Sequence, residues 1–300
     1  MTPAFATAFL LALGSAPAAG LQAADSAPNV LIVIAHPDDD AMFTGSVYKI
    51  THTLKGTVDL ALITDGSGGF RYSQLAEPIY HLHLTDERVA RQYLPAIRKR
   101  ELMNGGAIEG IRNYFFLDEA DPRYTENADS VLRYVWHADR VRSRLEEIMR
   151  RGRYDYVFVH LPIPNFHAHH KAASILALEA AQAVAADVRP VVLGCFVGTR
   201  SDTTLLGFKE LPGYPITRVN EDVHPFVFDR MEHLTADGRL DYRIIANWVI
   251  AEHKTQGVMQ LLVNEGEVER FWYFGVDDRA RLPATRAFFE RLARPAVSTR

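Results

Sequence analysis

Short apolar runs rich in β-branched side chains alternate along this chain with longer segments of mixed polarity. The runs occupy residues 29–35, 58–63, 114–117, 154–160 and 191–197. Such runs are typical of parallel strands that are buried on both faces. Segments of helical length, several with apolar residues three or four positions apart, lie between them at residues 41–54, 86–109, 138–151 and 169–186. The alternation predicts an α/β fold, a Rossmann-like sandwich built on a mostly parallel sheet.

The part of the chain beyond Val219 continues this kind of pattern. A strand-like segment at residues 224–228 is followed by a helix-like one at 242–256 and an aromatic strand at 268–274. The sequence contains no repeat, and it has no linker long enough to separate two folding units. We therefore expect a single domain over residues 28–300, in which this part forms a C-terminal extension.

The first 24 residues contain no charged side chain, and residues 4–13 are apolar apart from Thr7. Small residues that resemble Ala-x-Ala cleavage sites follow, and the apolar run is too short to span a bilayer. Residues 1–24 are therefore predicted to be a signal peptide, and the protein to be periplasmic or secreted without a stable membrane span. A mis-assigned start codon or a disordered leader is the alternative, because the usual cationic segment before the apolar run is missing.

The composition excludes several classes of function. Hydrophobic residues make up 48% of the chain and charged residues 23%, which is typical of a globular protein. A net charge of −4 provides no electrostatic footprint for binding nucleic acid. The single cysteine, Cys195, lies within a predicted strand, and no serine occupies a nucleophile elbow. A thiol or serine hydrolase therefore has little support.

A dense polar cluster follows the first predicted strand. Residues 35–40 read Ala-His-Pro-Asp-Asp-Asp, which places on one turn the side chains of His36, Asp38, Asp39 and Asp40. One of the three aspartates has an ordinary explanation as the N-cap of the next helix. Three crowded carboxylates repel one another unless a cation lies between them, so the cluster favours a bound metal ion.

A second cluster follows the fourth predicted strand, where residues 167–170 read His-Ala-His-His and open the next helix. In a doubly wound sheet the first and fourth strands are commonly neighbours, so the two clusters should face each other at the carboxyl ends of these strands. Two histidines and one carboxylate leave positions on a zinc ion open for water and substrate, as in catalytic sites. The two clusters together predict a divalent-metal hydrolase, with zinc as the expected ion.

These residues resemble the LmbE-like or PIG-L family of zinc-dependent N-deacetylases. Residues 35–40 match the family's Ala-His-Pro-Asp-Asp-Glu motif except at Asp40, and residues 167–170 match its His-Pro-Asp-His motif at both outer histidines. Weaker similarities are the glycine turn at 63–66, an Arg-x-x-Glu-Leu segment at 98–102 and an Ala-x-His-x-x-Gln segment at 251–256. The resemblance spans roughly residues 29–256.

The resemblance implies a role for each matching residue. The metal ligands would be His36, Asp39 and His170. Asp38 would act as the general base that takes a proton from the attacking water. The metal would polarise the acyl oxygen and activate that water. Protonated His167 would face the carbonyl, stabilise the oxyanion and protonate the departing amine.

Three residues depart from the family pattern. Asp40 replaces a glutamate and is one methylene shorter, so the contact of that carboxylate is expected to be lost or bridged by water. His169 replaces an aspartate, and a cationic imidazole there would lower the pKa of His167. Asp65 replaces an arginine of the glycine turn, which suggests a different acyl-amine substrate.

Several other residues could contribute to the site. Arg98 is predicted to contact a polar substrate, with a surface position or an ion pair to Glu101 as the alternative. The glycine turn at residues 65–69 either lets the backbone approach the substrate closely or is simply a tight turn. His160 either supports the site from behind or ends its strand. Aromatic residues that could stack on a sugar, although core packing is their more common role, are Tyr72, Trp136, Trp272 and Tyr273.

The expected function is the removal of an acyl group, in particular acetyl, from an amine, and the resemblance implies an N-acetylated sugar or glycoconjugate as substrate. The expected partners are a small-molecule or oligosaccharide substrate and a divalent ion, which is zinc or alternatively Fe²⁺ or Mn²⁺. The departures at Asp40 and His169 keep a second hypothesis open, in which the protein binds a glycan or a metal without turnover.

Overall fold

The computed structural model describes residues 26–234 and 239–295. The predicted signal peptide lies outside the described residues, and export stays a prediction. The strands in this part of the chain are Asn29–Ile34 (β1), Thr57–Thr64 (β2), Asn113–Glu119 (β3), Tyr156–His160 (β4), Val191–Gly198 (β5), Phe226–Asp229 (β6) and Val268–Tyr273 (β7). They form one seven-stranded sheet in the order β3-β2-β1-β4-β5-β7-β6.

Helices connect and cover these strands. The α-helices in the described residues are Thr44–Tyr48 (α1), Glu77–Tyr80 (α2), Glu87–Glu109 (α3), Ala128–Ser130 (α4), Ala138–Gly152 (α5), Ala168–Ala183 (α6), Tyr242–Glu252 (α7) and Leu282–Leu292 (α8). A 3₁₀ helix, Asp39–Met42, precedes α1, and π-helical turns at Lys49–Thr53 and Val131–Val135 follow α1 and α4. None of the helices in the described part of the chain has both the length and the apolar composition needed to cross a bilayer.

The sheet is mixed but mostly parallel, which confirms the predicted fold class. The strands β1 to β5 pair in parallel, whereas β7 runs antiparallel to both β5 and β6. The predicted neighbourhood of the first and fourth strands is also confirmed, because Val30 of β1 is paired with Tyr156 of β4. Open α/β sheets bind ligands at the carboxyl ends of such central strands.

The central strand β1 is buried on both faces. Leu31 and Val33 belong to the core that packs under α5 and α6, whereas Ile32 and Ile34 belong to the core on the opposite face, which α1, α3, α7 and α8 cover. Successive side chains of a strand point to opposite faces, so a strand between two helical layers needs apolar residues at every position. The continuous apolar run of the sequence has this physical cause.

Two features of the fold differ from the sequence pattern. The predicted helix at residues 41–54 is divided into 3₁₀, α and π turns. Helices α2, α4 and α8 were not predicted, although Phe288 and Phe289 of α8 pack into the core. The strands β6 and β7 of the predicted C-terminal extension join the same sheet as the rest of the chain. The division into domains itself stays a prediction.

A buried ion pair near the C-terminus fixes the turn that carries the first polar cluster. Glu269 on β7 accepts hydrogen bonds from the backbone N–H groups of Gly45 and Ser46, at 2.8 and 3.1 Å. Arg230 donates to the Glu269 carboxylate at 2.8 Å and to the Ala41 carbonyl at 2.6 Å. A carboxylate at this position satisfies N–H groups that have no acceptor within the helix. The segment between β1 and α1 is therefore held from β7.

Glu269→Gln is expected to lower the free energy of unfolding by about 3 to 5 kcal/mol, the usual cost of removing one member of a buried ion pair. The change keeps the side-chain shape but leaves Arg230, which is 3% exposed, without this counter-charge. Urea denaturation followed by circular dichroism measures the difference. Glu265→Gln, on the exposed loop before β7, is the matched control, and equal stability of the two variants would contradict a structural role for the pair.

Asp277 is a buried carboxyl group whose ionisation opposes folding. Its Oδ1 accepts the N–H of Val192 at 3.1 Å, and burial raises its pKa to about 8. The folded protein therefore keeps a proton that the unfolded chain loses at about pH 4, so stability falls as the pH rises between these values.

Asp277→Asn should remove this loss of stability. Relative to wild type, its free energy of unfolding should rise by up to about 1.4 kcal/mol per pH unit as the pH increases towards about 8. Chemical denaturation at a series of pH values tests this, with the exposed Asp187→Asn as the control for the change in net charge. A stability difference that does not depend on pH would show that Asp277 is ionised in the folded protein.

Candidate metal centre and active site

The turn after β1 is shaped by the second of its three aspartates. Asp39 Oδ2 accepts hydrogen bonds from the backbone N–H groups of Ala35 and His36 at 3.0 and 2.8 Å, so the carboxylate folds back onto the end of β1. Its other oxygen, Oδ1, lies 3.1 Å from His170 Nε2. Burial would raise the pKa of Asp39, but the charges of His170 and His160 lower it well below its usual range. Asp39 therefore stays ionised and presents Oδ1 to the opposite cluster.

The second cluster opens α6 beside the end of β4. His167 is the N-cap of α6, and its Nδ1 accepts the backbone N–H of His169 at 3.1 Å. His170 stacks on His160, the last residue of β4, with 4.6 Å between the ring centroids. His160 thus supports His170 from behind, which was one of its two predicted roles. Because β4 is paired with β1, both clusters lie at the carboxyl ends of neighbouring strands.

One group of three side chains could hold a metal ion. His36, Asp39 and His170 offer one ligand atom each, and these atoms lie within 4.8 Å of one another. His36 Nδ1 is 2.9 Å from His170 Nε2 and 3.7 Å from Asp39 Oδ2. Ligand atoms around tetrahedral zinc lie about 3.3 Å apart, given zinc–nitrogen distances of about 2.0 Å. Two imidazoles and one carboxylate therefore fit a divalent ion such as zinc.

The carboxylates around His36 favour the protonated form of its ring. Burial lowers the pKa of this ring, but Asp39 and Asp121 raise it to about 9. The same ring also belongs to a second group, in which ligand atoms of His36, His167 and His169 lie within 4.8 Å of one another. In that group His36 Nε2 is 3.0 Å from His169 Nδ1. The two nitrogens of His36 therefore face two different sets of side chains.

Asp38 belongs to neither group but faces the same cavity. The Gln256 side chain, oriented with its amide nitrogen towards Asp38, donates to both carboxylate oxygens at 3.2 and 2.9 Å. Burial raises the pKa of Asp38, and the neighbouring charge of Asp39 raises it further. A carboxylate that is held in place and has a raised pKa is suited to accept a proton.

His167 is half-buried and lines the cavity. Burial lowers its pKa to about 3, and the charges of His36 and His169 act in the same direction. A lowered pKa of His167 was expected from the neighbouring His169 ring, but burial is the larger cause of the shift. His169 is completely buried against Trp136, and burial lowers its own pKa to about 2. Both rings are therefore neutral at pH 7.

Asp40 lies beneath the centre and is completely buried. Its Oδ1 accepts a hydrogen bond from His253 Nε2 at 2.8 Å, and that ring is completely buried too. The expected loss or water bridging of the Asp40 contact is therefore wrong. Helix α3 passes close to the Asp40 carboxylate at Gly105. A Cβ at that position would lie only 3.2 Å from Asp40 Oδ2, so the glycine leaves room for the carboxylate. Burial lowers the pKa of His253, but the Asp40 charge raises it above its usual value.

Arg98 is 3% exposed, and its guanidinium binds other parts of the protein. Nη1 donates to the carbonyls of Gly66 and Gly68 at 2.7 and 2.5 Å, while Nε and Nη2 donate to Thr255. Thr255 donates to the Glu101 carboxylate from its backbone N–H and its hydroxyl. Arg98 thus ties the glycine turn to the segment after α7. The edge of this side chain borders the cavity, and a contact with substrate stays a prediction.

The two clusters lie at the base of a cavity of about 520 Å³. The polar residues of its base include His36, Asp38, Asp39, His160, His167 and His170. Apolar and aromatic residues complete the lining, with Tyr72, Tyr124, Phe166, Val258 and Leu262. Tyr72 is 58% exposed there, whereas Trp136, Trp272 and Tyr273 are buried in the core. Of the four aromatic residues considered as sugar platforms, Tyr72 is the one that reaches the cavity.

Sequence reasoning missed two residues of the site. Asp121 Oδ1 lies 3.5 Å from His169 Nδ1 and 4.0 Å from His36 Nε2, and Gln256 holds Asp38. Asp121 lies in the polar loop after β3, and a loop at a carboxyl strand end was the available signal. Gln256 is part of the weak Ala-x-His-x-x-Gln similarity, which gave no reason to prefer it.

The solved structures similar to this chain share its fold at low sequence identity. A deacetylase of the teicoplanin biosynthesis pathway is 15% identical with a TM-score of 0.52, over 83% of this chain and 100% of that one. The N,N'-diacetylchitobiose deacetylase of Pyrococcus horikoshii is 18% identical with a TM-score of 0.48, over 81% and 82%. The 4-carboxy-2-hydroxymuconate hydratase of Pseudomonas putida is 15% identical with a TM-score of 0.47, over 84% and 97%. At this identity the likeness shows the fold alone.

The fold and the two clusters define an α/β protein with a candidate divalent-metal centre at the carboxyl ends of its parallel strands. The model of the PIG-L family, described as GlcNAc-PI de-N-acetylase, matches residues 31–181, which is half of the chain and includes both clusters. The chain belongs to the PIG-L family, as its motifs indicated. No curated protein matches the chain significantly in sequence.

Asp39→Asn is expected to weaken the binding of one zinc ion by more than about 100-fold, the upper end of what the loss of an outer-shell partner costs. The amide oxygen can keep the two backbone contacts of Oδ2, but the amide NH₂ then replaces Oδ1 beside His170 and cannot act as a ligand. Competition with a chromophoric chelator measures the affinity. Asp38→Asn is the matched control, and equal affinity of the two variants would exclude Asp39 as a ligand.

Proposed function

We propose that this protein is a metal-dependent N-deacetylase that removes an acetyl group from the nitrogen of an N-acetylated sugar or glycoconjugate. The observation that carries this proposal is the convergence of His36, Asp39 and His170 at the base of a cavity that also contains Asp38 and His167. Three ligands with room for water and substrate are characteristic of catalytic rather than structural zinc sites. Zinc is the proposed ion, and the same donors accept Fe²⁺ or Mn²⁺.

The bound ion would supply the chemistry that amide hydrolysis needs, by polarising the acyl oxygen and lowering the pKa of water. Asp38 would take the proton of the attacking water. Gln256 holds both of its oxygens, so the carboxylate keeps one orientation towards the cavity. The raised pKa of Asp38 lets it hold that proton and then pass it to the departing amine.

His167 would stabilise the oxyanion as a neutral imidazole. Its Nδ1 accepts the N–H of His169, so the ring carries its proton on Nε2, where it is free to donate. A donor placed where negative charge develops is a large source of rate acceleration in acyl transfer. The protonated His167 expected from the sequence is replaced here by a neutral one, because the ring is half-buried and its pKa is lowered to about 3.

The proposal that the substrate contains a sugar is supported by the family description and by the position of Tyr72. The matching family model is described as a de-N-acetylase of a GlcNAc-containing compound. The exposed ring of Tyr72 in the cavity lining could stack on a sugar face. Asp65, the departure in the glycine turn, accepts the N–H of Ser67 at 2.8 Å, so its carboxylate stabilises the turn itself.

A relative that binds a glycan or a metal without turnover is the second candidate. The observation that favours it is the lowered pKa of His167, because a neutral ring is a weaker acid than the imidazolium that the sequence analysis assigned to this position. The two candidates predict the same ligands and differ in product release.

Asp38→Asn should lower kcat by about 100 to 10,000-fold, the usual contribution of a general base, while leaving the zinc content unchanged. Release of acetate and free amine is measured on N-acetylglucosamine, its oligosaccharides and their apolar glycosides, with the exposed Asp187→Asn as control. Chelation should abolish turnover, and zinc should restore it. Full activity of Asp38→Asn would exclude its role as the base, and tight glycan binding by the wild type without product would favour the second candidate.

A further inference from the structure

The His36 ring presents its two nitrogens to opposite sides. Nδ1 faces His170 at 2.9 Å, within the group assigned above to the first metal ion. Nε2 faces His169 Nδ1 at 3.0 Å, on the side of the ring away from that group. A second set of possible ligand atoms therefore surrounds Nε2. The proposed hydrolysis assigns no metal ion to this second set.

This second set contains three imidazoles and one carboxylate. Ligand atoms of His36, His167 and His169 lie within 4.8 Å of one another. Asp121 Oδ1 is 3.5 Å from His169 Nδ1 and 4.0 Å from His36 Nε2. Imidazole nitrogens with a carboxylate oxygen are donors that bind zinc and similar first-row ions, with tetrahedral geometry for zinc.

The set is held in place and can be reached from the cavity. His169 is completely buried against Trp136, so its ring has little freedom. The other carboxylate oxygen of Asp121, Oδ2, accepts the N–H of Gly68 at 3.0 Å, which leaves Oδ1 for a ligand. His36, His167 and Asp121 line the cavity, through which an ion and its water can enter. Donors fixed in this way lose little freedom when they bind.

We propose that a second divalent cation of the zinc class binds His36 Nε2, His167, His169 Nδ1 and Asp121 Oδ1. With both ions bound, His36 would contact each through one of its nitrogens. Its second ring proton and the Nε2 proton of His167, whose Nδ1 accepts the His169 N–H, would leave to solvent. The second ion binds more weakly than the first, because the first ion repels it. Its occupancy takes His167 away from the reacting acyl group, so excess zinc inhibits the enzyme.

The binding of the second ion does not depend on the proposed function, whereas the inhibition rests on it. The experiment therefore measures stoichiometry first. Metal-free protein is titrated with Co²⁺, followed by visible absorbance, and with Zn²⁺ in competition with a chromophoric chelator. Wild type should bind two equivalents, a tight one and a weaker one.

His169→Asn and Asp121→Asn should each weaken the second equivalent at least tenfold and leave the tight one unchanged. An asparagine at 121 can keep the contact with the Gly68 N–H through its amide oxygen, so this variant decides the matter if His169→Asn does not fold. His83→Asn, which alters an exposed histidine elsewhere on the chain, is the matched control and should bind two equivalents. A single equivalent in wild type, or loss of the tight equivalent in His169→Asn, would overturn the proposal.

Hydrolysis is then followed against zinc concentration. Wild-type activity should rise with the first equivalent and fall with the second, and His169→Asn should show the rise without the fall. An active wild type that excess zinc does not inhibit would overturn the inhibitory role. If no variant hydrolyses any substrate, the proposed function fails, and the titrations alone still decide whether the second site exists.

Discussion

The parallel pairing of β1 with β4 is the interaction on which the candidate centre depends. His36 and His170 are 134 positions apart in the sequence, yet their nitrogens lie 2.9 Å apart because each follows one of these paired strands. The arrangement collects imidazoles and carboxylates along the lining of one cavity. Carboxylates this close need a compensating cation, and the same crowding is what makes the site suitable for one.

The site is held by side chains that lie outside the part of the chain that the family model matches. That match ends at residue 181, whereas His253, Gln256 and Glu269 come later and contact the turn after β1. His253 supports Asp40, Gln256 orients Asp38, and Glu269 satisfies the N–H groups at the start of α1. These buried contacts fix the positions of the ligands and the base, which catalysis requires to well within 1 Å.

Several contacts could not be predicted from the sequence. The predicted helix at residues 41–54 is divided, and Glu269 on a distant strand accepts the N–H groups of Gly45 and Ser46 within it. The contact of Arg98 with substrate stays a prediction, and what the sequence did not indicate is that its guanidinium donates to three backbone carbonyls in two separate segments. Asp121 was missed because nothing in its own loop distinguishes it. Each of these contacts joins residues that are at least 30 positions apart in the chain.

The sequence by itself determined most of the strands and longer helices along the chain, the mostly parallel character of the sheet and the chemical identity of the two clusters. These follow from local features, since apolar periodicity and the choice of ligating side chains are properties of short segments. Only the tertiary structure decided which nitrogen of His36 faces which partner, that Asp40 reaches His253, and that His167 and His169 are neutral. Hydrogen-bond partners and desolvation are set by residues distant in the chain, so no local pattern encodes them.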